Sequence, residues 1–374
     1  MTMLKNFLFR MISVIFGFAL VLLILEVVFR IFPTNEGLRT LPVNMENPII
    51  RFEENRDFTW SKGRYFSIVT RKHSNNYGFL NDEDYDKENK YPLLAVIGDS
   101  YVEACQVKNK EAMHGIRSER FDGRARIYSF GASGAQLSTY LAYAEYAKHN
   151  FQPNAMIFII VGNDFDESLW KYKQAPGSYY FFSTSDIENP YELKRVDYHP
   201  SFIKRIGRRS AIFRYVCLNL QWNWRSIEQN FSDASEMERY IGNTAADTTK
   251  ERLTDSMSAV DEFFRQLPKR SALDSSEILF VIDGMRPSLY SDTDLAEAEK
   301  CYFSVMRNYF INNAAQRGYE IIDMQPVFIN HYKKNSLRFE FEIDGHWNQL
   351  GHKLVAKQIE KSSVVKKAFS QNRD

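Results

Sequence analysis

Cysteine is scarce in this chain of 374 residues: Cys105, Cys217 and Cys301 are all it has. More than one intrachain disulfide is excluded, one thiol is always left over, and the count neither requires nor forbids an oxidising compartment. Metal-binding patterns are missing as well. Histidines at 73, 114, 149, 199 and 331 are scattered, with no His-Glu-x-x-His and no clustered cysteine spacing, so neither a zinc mechanism nor a cofactor is expected. Excess charge of one sign is also lacking: 48 Lys and Arg face 47 Asp and Glu, which argues against nucleic acid as a partner.

One long apolar run is present, at the N-terminus. From Phe7 to Phe32 the chain is almost wholly apolar, and Met11 to Leu25 is uninterrupted, approaching the ~20 residues of a bilayer-spanning helix. No small-x-small cleavage pattern follows; Glu26-Val27-Val28-Phe29-Arg30-Ile31-Phe32-Pro33 comes instead, so residues 1–33 are expected to stay as an anchor rather than leave as a signal peptide. Lys5 and Arg10 precede the run, and the positive-inside tendency keeps that end cytoplasmic, with Arg30 subtracting from the charge difference. The expectation is a single-pass protein of the inner (cytoplasmic) membrane whose main domain faces the periplasmic or extracellular side.

Residues 34–90 are polar and irregular, with turn residues at Ser74-Asn75-Asn76-Tyr77-Gly78-Phe79 and an acidic loop at 81–86. They read as a stem and a short β-hairpin. From Leu93 onward strands alternate with helical patterns: strand 93–97, a helix after Tyr101, strand 126–130, helix 136–149 and strand 155–161. After an interruption come helix 247–266, strand 278–282, helix 292–316, strand 319–323 and a closing helix 348–368. Such alternation predicts, over residues 91–374, an α/β three-layer sandwich: a parallel sheet covered on both faces, with its site at the carboxyl ends of the strands.

The interruption, 166–248, reads as an insertion without a core strand and is rich in aromatics, among them Trp170, Tyr179, Tyr180, Phe181, Phe182, Trp222 and Trp224. Those rings pack into a core, stack on sugar rings, or accompany the basic-apolar stretch Phe202–Val216 onto a membrane interface.

Three strand runs lead straight into short polar motifs. Leu93–Ile97 enters Gly98-Asp99-Ser100, Arg126–Phe130 enters Gly131-Ala132-Ser133-Gly134, and Ala155–Val161 enters Gly162-Asn163-Asp164. Far downstream stands Asp344-Gly345-His346-Trp347-Asn348. A serine where a buried strand ends is placed to act as a nucleophile, but its hydroxyl needs a base within hydrogen-bond reach and a third group to orient that base. Asp344-Gly345-His346 can supply both. Gly-Asp-Ser alone is ordinary turn chemistry, yet four blocks in this order, three behind apolar β-like runs, are hard to assemble by chance.

Together the motifs resemble the four sequence blocks of the SGNH (GDSL-type) hydrolase superfamily, and the Asn76-x-Gly78-Phe79 segment resembles that of membrane-tethered members. The resemblance implies a flavodoxin-like fold, Ser100 as nucleophile, His346 as base and Asp344 as the acid that orients it. It also implies an oxyanion hole of the Ser100 N–H, the Gly131 N–H and the Asn163 side-chain amide. Glycine at 131 would let the backbone approach substrate without a Cβ in the way.

The chain departs from the family in one place. The familiar spacing is Asp-x-x-His, whereas Asp344-x-His346 is a tighter variant associated with membrane-linked and polysaccharide-modifying relatives. That leaves Asp283, at the end of strand 278–282, as a fallback acid or as a cap on the following turn. His352 is a competing base or a structural residue.

What the resemblance implies for activity is acyl transfer through an acyl-serine. Water as acceptor makes an esterase; a sugar hydroxyl makes an O-acyltransferase. With the anchor, the expected substrate is an acyl, above all acetyl, ester of a cell-envelope glycan or a lipid-linked sugar. A reading of another class is a non-catalytic glycan-binding or scaffold protein with a partner in an envelope assembly.

Overall fold

Apolar runs bounded by turn residues become the strands of the computed structural model, which describes residues 2–88, 90–118, 125–186, 188–221, 246–286 and 288–370. Strands β1 (Arg56–Lys62) and β2 (Ile68–Ser74) form a two-stranded sheet of their own. The main sheet holds β3 (Leu93–Gly98), β4 (Arg126–Gly131), β5 (Ala155–Ile160), β8 (Ile278–Ile282) and β9 (Glu320–Asp323), in the order β4-β3-β5-β8-β9. Between β5 and β8 in sequence, β6 (Tyr179–Ser183) and β7 (Tyr191–Arg195) pair antiparallel apart from that sheet. A short antiparallel pair, β10 (Glu340–Phe341) and β11 (Asp344–Trp347), stands near the end of the chain.

All pairings in the main sheet are parallel. Every residue of β3, β4, β5 and β8 is buried, as expected of strands covered on both faces. The architecture is therefore α/β around a five-stranded parallel sheet, with an apolar helix ahead of it. The first core strand, β3, lies between β4 and β5, so the strand order reverses at β3/β5, the topological switch point where open α/β sheets leave a crevice at their carboxyl ends.

Two helices differ from the sequence reading. The stretch 292–316 is two helices, Asp292–Ala298 and Tyr302–Gln316, because the backbone turns extended at Cys301 (ψ 162°). The closing stretch is likewise Gln349–Ile359 followed by Ser363–Ser370. A helix that the reading did not foresee, Met324–Asn335, follows β9 and buries only Met324 and Phe328.

The chain divides into two units, one of residues 1–38, 58–71 and 200–232, the other of 39–57, 72–199 and 233–374. The stretch read as an insertion is thus shared between them, and Trp222 and Trp224 lie outside the described residues. The sheet and all four motifs belong to the second unit. There Asn75 holds the Asn-x-Gly-Phe turn, its Oδ1 accepting from Tyr77 N at 3.0 Å and Phe79 N at 3.1 Å. Gly78 in that turn has φ +74°, and a Cβ there would meet Phe52 O at 2.1 Å.

In the first unit Thr2–Ile31 is one 30-residue helix. Among the described residues it is the one helix long and apolar enough to cross a membrane, and no part of its apolar stretch is buried. Its last turns do have partners. Glu26 accepts from Ser210 Oγ at 2.9 Å, Ala211 N at 2.9 Å and Ile212 N at 3.2 Å, and Phe29 stacks on Tyr215 with ring centroids 4.2 Å apart.

Candidate active site

Ser100 opens a single helical turn, Ser100–Glu103, directly behind β3. Asp99 caps that turn by accepting from Tyr101 N at 2.9 Å, the usual use of Asp ahead of a first turn. Gly98 and Gly131 let the turn sit on the strand ends. A Cβ at 98 would meet Val102 Cγ2 at 2.5 Å, and one at 131 would meet Val102 Cβ at 2.7 Å and Glu103 N at 2.9 Å. The demand on Gly131 visible here is thus close packing against the turn that bears Ser100, a reason distinct from room for substrate.

β11 carries Asp344 and His346 to the same place. His346 Nε2 lies 2.7 Å from Ser100 Oγ, and His346 Nδ1 lies 2.5 Å from Asp344 Oδ1. The backbone N–H of His346 also donates to Asp344 Oδ1, at 3.0 Å. That Asx-type contact folds the carboxylate back onto a ring only two residues away, and so accommodates the short Asp-x-His spacing. In the tautomer that donates Nδ1–H to Asp344, Nε2 carries the lone pair that faces the serine hydroxyl. The hydroxyl has a second acceptor, Asp99 Oδ2, at the longer distance of 3.2 Å.

The two alternatives from the sequence lie elsewhere. Asp283 accepts from Trp347 Nε1 at 2.9 Å, from Gly284 N at 2.8 Å and from Arg286 at 2.7 Å. The Asp283–Arg286 pair is fully buried, and Arg286 in turn donates to Gly345 O at 2.9 Å and Tyr101 Oη at 2.8 Å. Asp283 therefore braces the strand that bears His346, one step removed from the ring. His352 is buried and accepts from Met113 N at 3.4 Å; burial holds its pKa well below the usual histidine value.

The oxyanion candidates sit around this cluster. Gly131 ends β4, and Asn163 follows β5 in a turn tied by Asp164, which accepts from Val161 N at 2.8 Å and Tyr140 Oη at 2.7 Å. Burial, reinforced by nearby Asp99, pushes the Asp164 pKa well above the carboxylate range. Asn163 Nδ2 donates to Glu167 Oε2 at 3.2 Å, and Glu167 pairs with Lys173, which also donates to Gly134 O at 2.9 Å. Asn163 Oδ1 is buried without a hydrogen-bond partner among the described residues.

Several contributors were invisible in the sequence because their partners lie from 30 to 240 residues away along the chain. Gln106 Nε2 is 2.8 Å from His346 Nδ1 and 3.4 Å from each oxygen of Asp344. Buried Lys72 donates to Ala104 O at 2.9 Å and Val107 O at 3.0 Å, holding the loop that presents Gln106. Glu103 accepts from Ser133 N at 2.7 Å and Ser133 Oγ at 2.8 Å, lashing the loop after Gly131 to the turn that bears Ser100. The only signal for Glu103 and Gln106 in the sequence is their place three and six residues behind Ser100.

Burial shapes the electrostatics. Ser100 is 7% exposed, Asp344 5% and His346 6%, so their mutual interactions act in a low-dielectric surrounding. Asp99, buried beside them, is raised to about 6, desolvation outweighing its bond from Tyr101 N and the attraction of His346. No group of His, Cys, Asp and Glu among the described residues could hold a metal ion.

No family model and no curated protein matches this sequence. Solved structures do. A two-domain esterase active on acetylated mannans is 13% identical with a TM-score of 0.38; the match covers 75% of this chain and only 50% of the esterase. A member of the lipolytic G-D-S-L family from Veillonella parvula is 10% identical (TM-score 0.36, covering 72% of this chain and 96% of that one). A lipase/acylhydrolase from Enterococcus faecalis is 8% identical (TM-score 0.37, covering 74% and 96%).

Proposed function

We propose that the chain is a membrane-anchored serine hydrolase of the SGNH type that cleaves acyl esters through an acyl-serine. One observation carries the reading: Ser100 Oγ, His346 and Asp344, from motifs more than two hundred residues apart, stand in one hydrogen-bonded line, with 2.7 Å between Ser100 Oγ and His346 Nε2.

In the proposed reaction the Ser100 proton passes to His346 Nε2 while Oγ bonds the ester carbonyl carbon. Asp344 steadies the imidazolium through Nδ1–H. The Ser100 N–H, the Gly131 N–H and the Asn163 amide meet the charge on the tetrahedral oxygen. Asn163 then turns part of its donation from Glu167 to that oxygen. Collapse breaks the bond to the leaving alkoxide, which takes the proton back from His346. Water, deprotonated by His346, then cleaves the acyl-serine and restores the enzyme.

The helix Thr2–Ile31 is read as a retained anchor. The contacts of Glu26 and Phe29 with residues 210–215 build its last turns into a folded unit, which a cleaved leader would not leave behind. Placement in the inner membrane with the hydrolase facing outward follows from Lys5 and Arg10 ahead of the span. An enzyme tethered there suits esters, acetyl esters above all, on cell-envelope glycans or lipid-linked sugars. The tether equally suits passage of the acyl group to a sugar hydroxyl, and the balance of free acid against acylated sugar among the products separates hydrolase from O-acyltransferase.

The test is intact mass of the full chain after exposure to a serine-directed phosphonate. One adduct on the wild type, absent from Ser100→Ala and His346→Ala, is expected. A folded wild type that takes no adduct overturns the reading in favour of a glycan-binding or scaffold role in an envelope assembly.

A further inference from the structure

We propose that residues 202–216 form a platform beside the anchor helix that docks on anionic phospholipid headgroups of the bilayer the helix enters. The inference rests on the anchor reading above and adds a second, electrostatic contact with the same membrane.

Charge and exposure come first. From Ser201 to Leu220 the sequence has five basic residues, Lys204, Arg205, Arg208, Arg209 and Arg214, and no acidic one. The segment folds as two short helices, Phe202–Gly207 and Ala211–Arg214. They pack closely, since a Cβ on Gly207 would lie 2.5 Å from the Phe213 ring. Large apolar side chains nevertheless face outward: Phe202 is 66% exposed, Ile206 51% and Phe213 42%. Lys204, Arg205 and Arg209 are exposed alongside them. Aromatic and aliphatic groups interleaved with cations are the composition of an interfacial segment.

Depth comes next, from the contacts with the anchor helix inside the same unit. Glu26 takes up Ser210 Oγ and the N–H groups of Ala211 and Ile212, and Arg30 donates to Arg209 O at 3.0 Å. Counting back from Glu26, the residues from Phe7 to Leu25 rise roughly 28 Å along a helix, close to the ~30 Å hydrocarbon thickness. Glu26 thus falls at the boundary between hydrocarbon and headgroups, and the segment fixed to it lies at headgroup level. At that level phosphate oxygens are the available counter-charges, and guanidinium groups match them in bidentate geometry. These cations lie far along the chain from the span, so they do not enter the orientation rule that Lys5 and Arg10 obey.

The experiment uses the full chain in lipid nanodiscs, of phosphatidylcholine alone or with a share of phosphatidylglycerol, and follows amide hydrogen exchange over residues 202–213. The expected result is exchange about threefold slower or more with phosphatidylglycerol, consistent with a handful of surface cations near anionic lipid. High salt should abolish the difference, and so should Lys204→Gln/Arg205→Gln/Arg208→Gln/Arg209→Gln. Equal exchange of the wild type in both compositions overturns the platform, as does a difference that survives in the fourfold variant. A chain that fails to enter discs overturns the anchor and the platform together, whereas one that enters and exchanges equally removes only the platform.

Discussion

Two carboxylates, Asp344 in the unit that holds the parallel sheet and Glu26 in the unit that holds the long apolar helix, show how differently one functional group is used in the two parts of this molecule. Asp344 is 5% exposed and spends an oxygen on the imidazole ring and backbone N–H of His346. Glu26 spends both its oxygens on the start of a short helix, at Ser210, Ala211 and Ile212. The first orients an imidazole ring, and the second ties a segment to a helix. Around Asp344 a buried network is built by Gln106, by Arg286 through Gly345, and by Asp283 through Trp347. Glu26 also pairs with Arg30 at 2.8 Å, one turn further along the exposed apolar helix. A buried network suits positioning at the scale of a proton transfer; a cap braced by one exposed ion pair suits attachment.

The comparison breaks most sharply at Asp344. Asp344→Asn is expected to lower kcat on an aryl acetate by about 10⁴, as loss of the orienting acid does in related triads, with thermal stability little changed. Asp283→Asn should behave in the opposite way: it leaves the buried Arg286 without its full charge partner, costs about 3–5 kcal/mol in stability, and leaves a folded fraction that still turns over. If Asp283→Asn abolished turnover at full stability and Asp344→Asn did not, the two assignments would be exchanged.

Next in size is Asn163→Ala, for which a fall of about 10²–10³ in kcat with little change in KM is expected from loss of one oxyanion donor. An unchanged kcat would free Asn163 for a purely structural role with Glu167.

Asp99 gives a pH signature confined to the unit that holds the sheet. Its folded value is raised from 3.8 to about 6 by burial, so the folded state binds this proton more tightly than the unfolded chain does. Its contribution to stability is fully present below the unfolded value and is lost as pH rises through about 6, with an upper size on the order of 2–3 kcal/mol. The Tm of the wild type should therefore fall, relative to Asp99→Asn, between pH 4 and pH 7. Parallel pH profiles for the two proteins would remove Asp99 from this account.

Smallest is the effect at Glu26. Glu26→Gln keeps its shape but weakens the cap, at a cost of about 1 kcal/mol. Limited proteolysis within 202–216 should quicken a few-fold while phosphonate labelling of Ser100 keeps its rate. Unaltered proteolysis would show that the cap does not hold the segment.

The parts legible in the sequence are those whose signal is local. β3, β5 and β8 are unbroken apolar runs because both faces are covered, and Ser100, Gly131 and Asn163 were found because each stands directly behind such a run. The tandem Asp344-Gly345-His346 was legible because an acid and a base stand together in one short motif. The helix Met324–Asn335 was not, since it buries only two side chains fully and leaves little periodicity to detect. Nor was the choice between Asp344 and Asp283, which both lie close to His346 or its strand and differ only in which atoms they reach. Gln106 and Lys72 were missed because nothing nearby in the chain announces a partner at His346 or a role in presenting it.

Whether Ser100 and His346 work as one unit is read from kcat/KM on an aryl acetate for Ser100→Ala, His346→Ala and the double variant. Losses on the order of 10⁴–10⁶, nearly the same in all three, are expected, because removing either member already disables the pair. Losses that multiply in the double variant would contradict this pairing and show two groups acting independently.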